Sequence, residues 1–234
     1  MWTSYGNKKK KKPQDPAKQI EKLRKKDAEI QPVLINGKLG KTWWGNAWNK
    51  NLESYADYSN RIGRGRSYVK SGAVLDLKIT SGEVQALVQG SRAKPYQIHI
   101  TIAPLPEVKW NNIVSRCSNS IGSLEELVSG RFPRDFIELF VSKENGLFPS
   151  PKEINFSCSC PDWAYMCKHV AAALYGIGAR FDNDPTLFFL LRNIEFSDLI
   201  KKSINEKMQS MLQNADRITD RVIKNADTVR IFGV

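Results

Sequence analysis

The sequence predicts an α+β fold: an antiparallel β-meander packed with helices, followed by a small metal-bound finger and C-terminal helices. Three observations carry this. Three segments between 73 and 102 alternate apolar and polar residues with turn residues between them. From Pro106 the apolar spacing shifts to helical periods. Three of the four cysteines and one of the two histidines then fall within CSCPDWAYMCKH, residues 158–169. The expected divisions are a basic disordered tail over 1–32, an α+β domain over 33–150, the finger over 151–182 and a helical segment over 183–234.

Composition sets the bounds. The chain has 234 residues, 41% of them hydrophobic and 26% charged, which is normal globular composition and enough for a core. MWTSYGNKKKKK has no apolar stretch after its charges, so it does not read as a signal peptide. No run approaches the roughly 18 apolar residues of a membrane span, and a cytoplasmic location is expected. In a reducing compartment clustered cysteines bind metal or do redox chemistry more often than they form structural bridges. Lysine and arginine number 36 against 24 acids, a net charge of +12. That excess favours an acidic partner, nucleic acid above all.

The charge is uneven. Residues 1–30 hold ten basic and four acidic residues, a net of +6. Lys8 to Lys12 repel one another and Pro13 and Pro16 follow, so a disordered arm able to touch phosphates is expected. In the next segment GKLGKT invites a phosphate-loop reading, but Ile35 stands where that loop requires its first glycine. Trp44, Trp48 and Leu52 recur at four-residue steps and mark one face of a short helix. YSNRIGRGRSYVK follows, with Arg61, Arg64, Arg66 and Lys70 and no acid among them. Gly63 and Gly65 allow close backbone approach to a ligand, and Tyr58 and Tyr68 have the chemistry to stack on bases. A solvated turn with ordinary surface charge explains the same residues.

The strands are expected at 73–79, 83–89 and 96–102, with one face buried. GSRAKP between the second and third adds Arg92 and Lys94 to the candidate phosphate contacts. His99 reads as a strand residue, not a ligand. Val108, Ile113 and Val114 suit a helix that also carries Cys117, a buried or half-buried thiol. Leu124, Leu127 and Val128 suit a second, capped by Ser123. Phe136, Ile137, Phe140 and Val141 suit a third, opened by Pro133. Beyond the finger, PTLFFLLRNI is apolar all round and reads as a buried helix. Ile204, Met208, Met211, Ala215, Ile218 and Val222 then form a brief heptad seam. It suits either a helix docked on its own domain or one that binds a partner or self-associates.

The cysteine cluster carries the chemistry. Cys158, Cys160, Cys167 and His169 supply three thiolates and an imidazole, the four donors of a tetrahedral zinc site. Side chains two apart in an extended segment point the same way, so Cys158 and Cys160 can both face one ion. INFS is strand-like enough to deliver them, and CKHVAAALYGIGARF reads as the start of a helix. Trp163 is offered as a lid. A Cys–His nucleophile leaves two thiols unexplained, and a Cys-x-x-Cys redox spacing is absent. Four protein ligands leave no open position, so the site reads as structural.

CSCPDWAYMCKHVAAALY resembles the SWIM zinc finger, whose pattern is Cys-x-Cys followed by Cys-x-His, in the form found in bacterial proteins. GKTWWGNAW, GRGRSYVKSGAV and VQGSRAKPYQI are similar to further motifs of those proteins, so the resemblance spans roughly residues 38–195. It implies zinc bound by Cys158, Cys160, Cys167 and His169, in a module for nucleic-acid or protein contact. It also implies association with an Snf2-type helicase-like ATPase. The expected function is a non-catalytic nucleic-acid-binding accessory protein, for DNA more than RNA. The alternative is an adaptor that recruits or regulates such an ATPase without touching nucleic acid. No paired-carboxylate or serine–histidine signature points to an enzyme.

Overall fold

The computed structural model describes residues 15–54, 59–119, 126, 136–142 and 146–215. The four-stranded antiparallel sheet runs in the order β1 (Val74–Thr80), β2 (Glu83–Val88), β3 (Tyr96–Ile102) and β4 (Ile154–Cys158). The first three strands are the expected meander, within a residue or so at each end. Val84 pairs with Ile79 on one side and Ile100 on the other, so the apolar positions of successive strands fall in register on one face. The finger's strand belongs to the same sheet. Ile100 pairs with Phe156 and Ile98 with Cys158, so β4 extends the meander at its β3 edge.

Eight helices surround this sheet among the described residues: α1 (Pro16–Arg24), α2 (Trp43–Glu53), α3 (Ser59–Lys70), α4 (Glu107–Asn119), α5 (Ile137–Val141), α6 (Lys168–Asn183), α7 (Leu187–Leu191) and α8 (Phe196–Ala215). The core is built around α6. Every residue from His169 to Gly178 is buried, and the helix packs on α2, α3 and the sheet. Small residues make that possible. Ala171, Ala172, Ala173, Gly176 and Gly178 keep its surface low enough for neighbours on several sides.

Two segments depart from the sequence reading. The basic arm expected over 1–32 is ordered from Asp15 onward; Lys8 to Lys12 lie outside the described residues. Asp15 caps α1 by accepting from the Ala17 amide at 3.0 Å, and Pro16 takes the first helical position. Proline is tolerated there because that N–H has no helical acceptor in any case. Ile20 and Ile30 cover Leu75 on the back of the sheet, so the second face is partly buried too. Residues 31–33 then run along the β1 edge: the Leu77 amide donates to Gln31 O at 3.0 Å and Val33 N to Val74 O at 3.0 Å.

The second departure is YSNRIGRGRSYVK. Read as a glycine-loosened basic turn, it is the helix α3 from Ser59 onward; Tyr58 lies outside the described residues. Two glycines cost about 1 kcal/mol each in a helix, and tertiary packing overrides that. Ile62, Gly65 and Val69 are buried at helical spacing. A Cβ on Gly65 would lie 2.4 Å from Ala171 Cβ, so Gly65 is where α3 and α6 touch rather than a place for a ligand.

The remaining helices follow the reading with some changes of face. Trp48 and Leu52 of α2 are buried, and Trp44 Nε1 donates to Phe181 O at 2.8 Å. In α4, Ile113, Val114 and Cys117 are buried while Val108 is exposed. Burial raises the Cys117 thiol to about 12, which leaves it inert. In α5 the buried residues are Leu139 and Phe140, and Ile137 and Val141 are on the exposed side. The helix expected around Leu124, Leu127 and Val128 lies outside the described residues. Phe188, Phe189 and Leu191 of α7 are buried as expected. The long helix α8 docks on α4 through Leu199 and Ser203, with Ser118 donating to Glu206 at 3.0 Å. The described part of its heptad seam faces outward: Ile204 is 45% exposed, Met208 53% and Met211 60%, while Ile218 and Val222 lie outside the described residues. Among the described residues no helix is long and apolar enough to cross a membrane.

Candidate metal centre

The four sequence-predicted ligands converge. Cys158 and Cys160 leave the end of β4, Cys167 caps α6, and His169 stands in its first turn. One ligand atom from each lies within 4.8 Å of all the others. His169 Nδ1 is 4.0 Å from Cys158 Sγ and 3.9 Å from Cys167 Sγ. Zinc bonds of about 2.3 Å to sulfur and about 2.0–2.1 Å to nitrogen put adjacent ligand atoms about 3.6 Å apart in a tetrahedron. Closing the cluster on an ion draws the two nitrogen–sulfur pairs in by a few tenths of an ångström and the widest pair by up to about 1.2 Å. No other group of three or more metal-binding side chains is found among the described residues.

The donor chemistry fits zinc. All four cysteines are free thiols, so nothing competes for the three sulfurs. The hydrogen bond from Cys158 lowers Cys167; burial opposes it, and His169 and the Val170 amide reinforce it. Cys158 is raised for the converse reason. One thiolate is thus favoured by the cluster itself, capped by Val170 N at 3.5 Å on the positive end of α6. The others become thiolates when a metal displaces their protons.

The surroundings of His169 explain two sequence motifs. Its ring lies between Tyr96, with centroids 4.4 Å apart, and Tyr68 at 5.4 Å. Gly90 is required beside it: a Cβ there would lie 2.4 Å from Tyr96 Cε2 and 3.0 Å from His169 Nε2. The VQGSRAKPY segment therefore shapes the histidine's pocket. Gln89 Nε2 holds the loop by donating to Arg92 O at 2.7 Å. Among the described residues His169 Nε2 is buried without a hydrogen-bond partner, and packing of the two tyrosines sets the ring. Trp163, expected as a lid, is 82% exposed and does not cover the cluster. Met166 and Ala164 are the buried residues of the loop.

The loop between the ligand pairs is braced from outside. Arg61 of α3 forms an ion pair with Asp162, whose other oxygen accepts from Ala164 N at 3.3 Å. Arg61 is a candidate phosphate contact by sequence; its charge is instead neutralised by the finger. Arg64 is exposed. Arg66 reaches Glu53 and Tyr175, and with Lys70 it lines a cleft between α2 and α3. Arg92 lies over Tyr96 at 5.9 Å, and Lys94 lines a different groove beside α1. The six basic candidates do not share one cavity. His99 is a strand residue as expected, 3.3 Å from Glu83.

Residues 148–176 match the SWIM zinc finger family. The chain carries a SWIM zinc finger. The match covers all four ligands and the first half of α6, so the SWIM unit is the junction between the sheet edge and the core helix. The chain is also 38% identical over 172 residues to an uncharacterized protein of Mycobacterium tuberculosis (strain ATCC 25618 / H37Rv), Rv2102. The alignment covers 73% of this chain and 62% of that protein, so the chain spans less than two thirds of the relative it matches. No solved structure matches the chain.

The GKT of GKLGKT also has a structural explanation. Lys41 N and Thr42 N donate to the Asp182 carboxylate at 2.8 and 2.9 Å, and Thr42 Oγ1 donates to it at 2.6 Å. The start of α2 is thus satisfied by an acid from α6. These donors are therefore not free to form a phosphate loop, in agreement with the failed spacing.

Proposed function

We propose that this protein is a zinc-stabilised, non-catalytic accessory factor that binds nucleic acid, with DNA as the first candidate, and works with an Snf2-type helicase-like ATPase. The observation that carries the reading is a filled ligand set on a strongly basic chain. Three cysteines and a histidine complete a tetrahedron and leave no position for substrate or activated water. The metal's contribution is therefore shape: it ties β4 to α6 and fixes the surface around them. The net charge of +12 supplies attraction for a polyanion without dictating sequence preference. A filter-binding titration tests this. Affinity for DNA falls steeply between about 50 and 200 mM salt if phosphates are bound, because counterions are released. A flat salt response overturns the reading.

A second reading, an adaptor for the ATPase, is favoured by one feature. Ile204, Met208 and Met211 form an exposed apolar row on α8, and such rows commonly meet partners. A pull-down with an Snf2-type ATPase, using the chain with and without residues 196–234, separates the two. Loss of the ATPase with retained DNA binding assigns the roles to different surfaces.

A further inference from the structure

We infer that the cleft between α2 and α3 is the main phosphate-binding site of this protein, taking the phosphodiester backbone of a nucleic acid. The inference deepens the proposed function and rests on it.

The cleft has a volume of about 820 Å³ and is fed by three stretches of chain. Lys38 and Lys41 come from the loop before α2, Lys50 from α2, and Arg66 and Lys70 from α3. Arg66 and Lys70 are four residues apart on one helix and so project to the same side. All five side chains belong to exposed residues. Lys38, Lys41, Lys50 and Lys70 have no acidic partner among the described residues, so their charge is available to a ligand. The five positions lie in separate parts of the sequence, which is why only the last two could be picked out there.

Among the described residues one acid lines the cleft, and it is already committed. Glu53 accepts from Tyr175 Oη at 2.6 Å and from Arg66 Nη2. That same Nη2 lies 3.2 Å from Tyr175 Oη. The bonds to Tyr175 and Glu53 raise the Arg66 pKa further. Glu53 and Tyr175 therefore orient the guanidinium, while its Nη1 and Nε have no protein partner among the described residues. Among the described residues five cations against one acid give the lining +4, a third of the chain's whole excess. A cationic or neutral ligand gains nothing from such a lining. Several separated phosphates, each met by a lysine or by the arginine fork, match it.

The site differs from the basic residues that sequence alone suggests. Arg61 is paired with Asp162, and Arg64, Arg92 and Lys94 lie outside this lining. The experiment compares two triple variants of equal charge in the full zinc-loaded chain: Lys41→Gln/Lys50→Gln/Lys70→Gln in the cleft and Arg64→Gln/Arg92→Gln/Lys94→Gln outside it. All six side chains are exposed, and zinc content and circular dichroism verify that both variants fold. Binding of a fluorescein-labelled DNA duplex is measured across salt concentrations. The cleft variant is expected to lose roughly tenfold or more in affinity, and its salt slope to drop by about 0.9 for each phosphate it no longer neutralises. The outside variant is expected to keep most of its affinity. Glu53→Gln, which removes the lone acid but can still accept from Tyr175, is expected to bind more tightly than the wild type. Equal losses in the two triple variants, or a loss confined to the outside one, overturn the cleft assignment while leaving nucleic-acid binding intact. A wild-type protein that does not bind DNA or RNA overturns the proposed function itself.

Discussion

Arg61 and Asp162, 101 residues apart in sequence, form an ion pair that braces the metal-binding loop against α3, with side chains only 20% and 18% exposed. The pairing gives an arginine that looks like a phosphate ligand a structural task. Arg61→Ala is expected to cost about 1.5–3 kcal/mol, the usual worth of a charge-assisted hydrogen bond. It also speeds transfer of zinc to a colorimetric chelator, while the DNA affinity of the zinc-loaded protein stays unchanged. Unaltered zinc release, or a selective loss of DNA binding, returns Arg61 to the nucleic-acid surface.

Gly63 and Gly65 make a matched pair for the α3–α6 packing. A Cβ at Gly63 meets nothing within 4 Å, whereas one at Gly65 meets Ala171 Cβ at 2.4 Å. Gly63→Ala is therefore expected to stabilise the protein by about 0.5–1 kcal/mol through helix propensity. Gly65→Ala is expected to destabilise it by about 1–3 kcal/mol through overpacking. Chemical denaturation measures both; effects of the same sign contradict the packing described here.

Much of this architecture is legible in the sequence, and the failures have physical causes. The three alternating segments and their turns give the meander, because a half-buried strand must alternate. The Cys-x-Cys and Cys-x-His spacings give the ligand set, because four donors must converge on one ion. Residues 15–32 of the arm and the basic glycine segment depart from the reading because local composition argues against helix in both. Asp15 and Pro16 act as cap and first turn, and the helical cost of Gly65 is offset by its packing on Ala171. The Asp15–Pro16 start is a local signal that the charge run outweighed, whereas the Gly65 packing is invisible without its partner surface. The α2–α3 cleft is half legible: Arg66 and Lys70 stand out, but Lys38, Lys41 and Lys50 join them only through the fold.

Glu153 and Arg192 link the segment before β4 to the end of α7, with Arg192 Nη2 2.6 Å from Glu153 Oε1 and the arginine 2% exposed. Burial alone pushes the Glu153 carboxyl up, but the bonds from Arg192 and Ser150 outweigh it and hold the group at about 2. Because this lies below the unfolded value of about 4.3, the contribution is complete above that pH and is lost as pH falls toward 2. Glu153→Gln is expected to cost about 3 kcal/mol near neutrality by leaving a buried guanidinium without its counter-charge. The gap between wild type and variant narrows as pH drops from about 4.3 to 2. Acid release of zinc acts on both proteins and cancels in that comparison. A gap independent of pH contradicts the ion pair's role.

The central claim is that one zinc ion, held by Cys158, Cys160, Cys167 and His169, joins the sheet edge to the core helix. Elemental analysis of the purified protein tests it most directly, alone and after Cys167→Ser. The account expects about one zinc per chain in the wild type, and in the variant loss of the metal together with loosening of β4 and the start of α6. A wild-type protein that is folded but free of zinc, or a variant that keeps both its metal and its fold, contradicts the account.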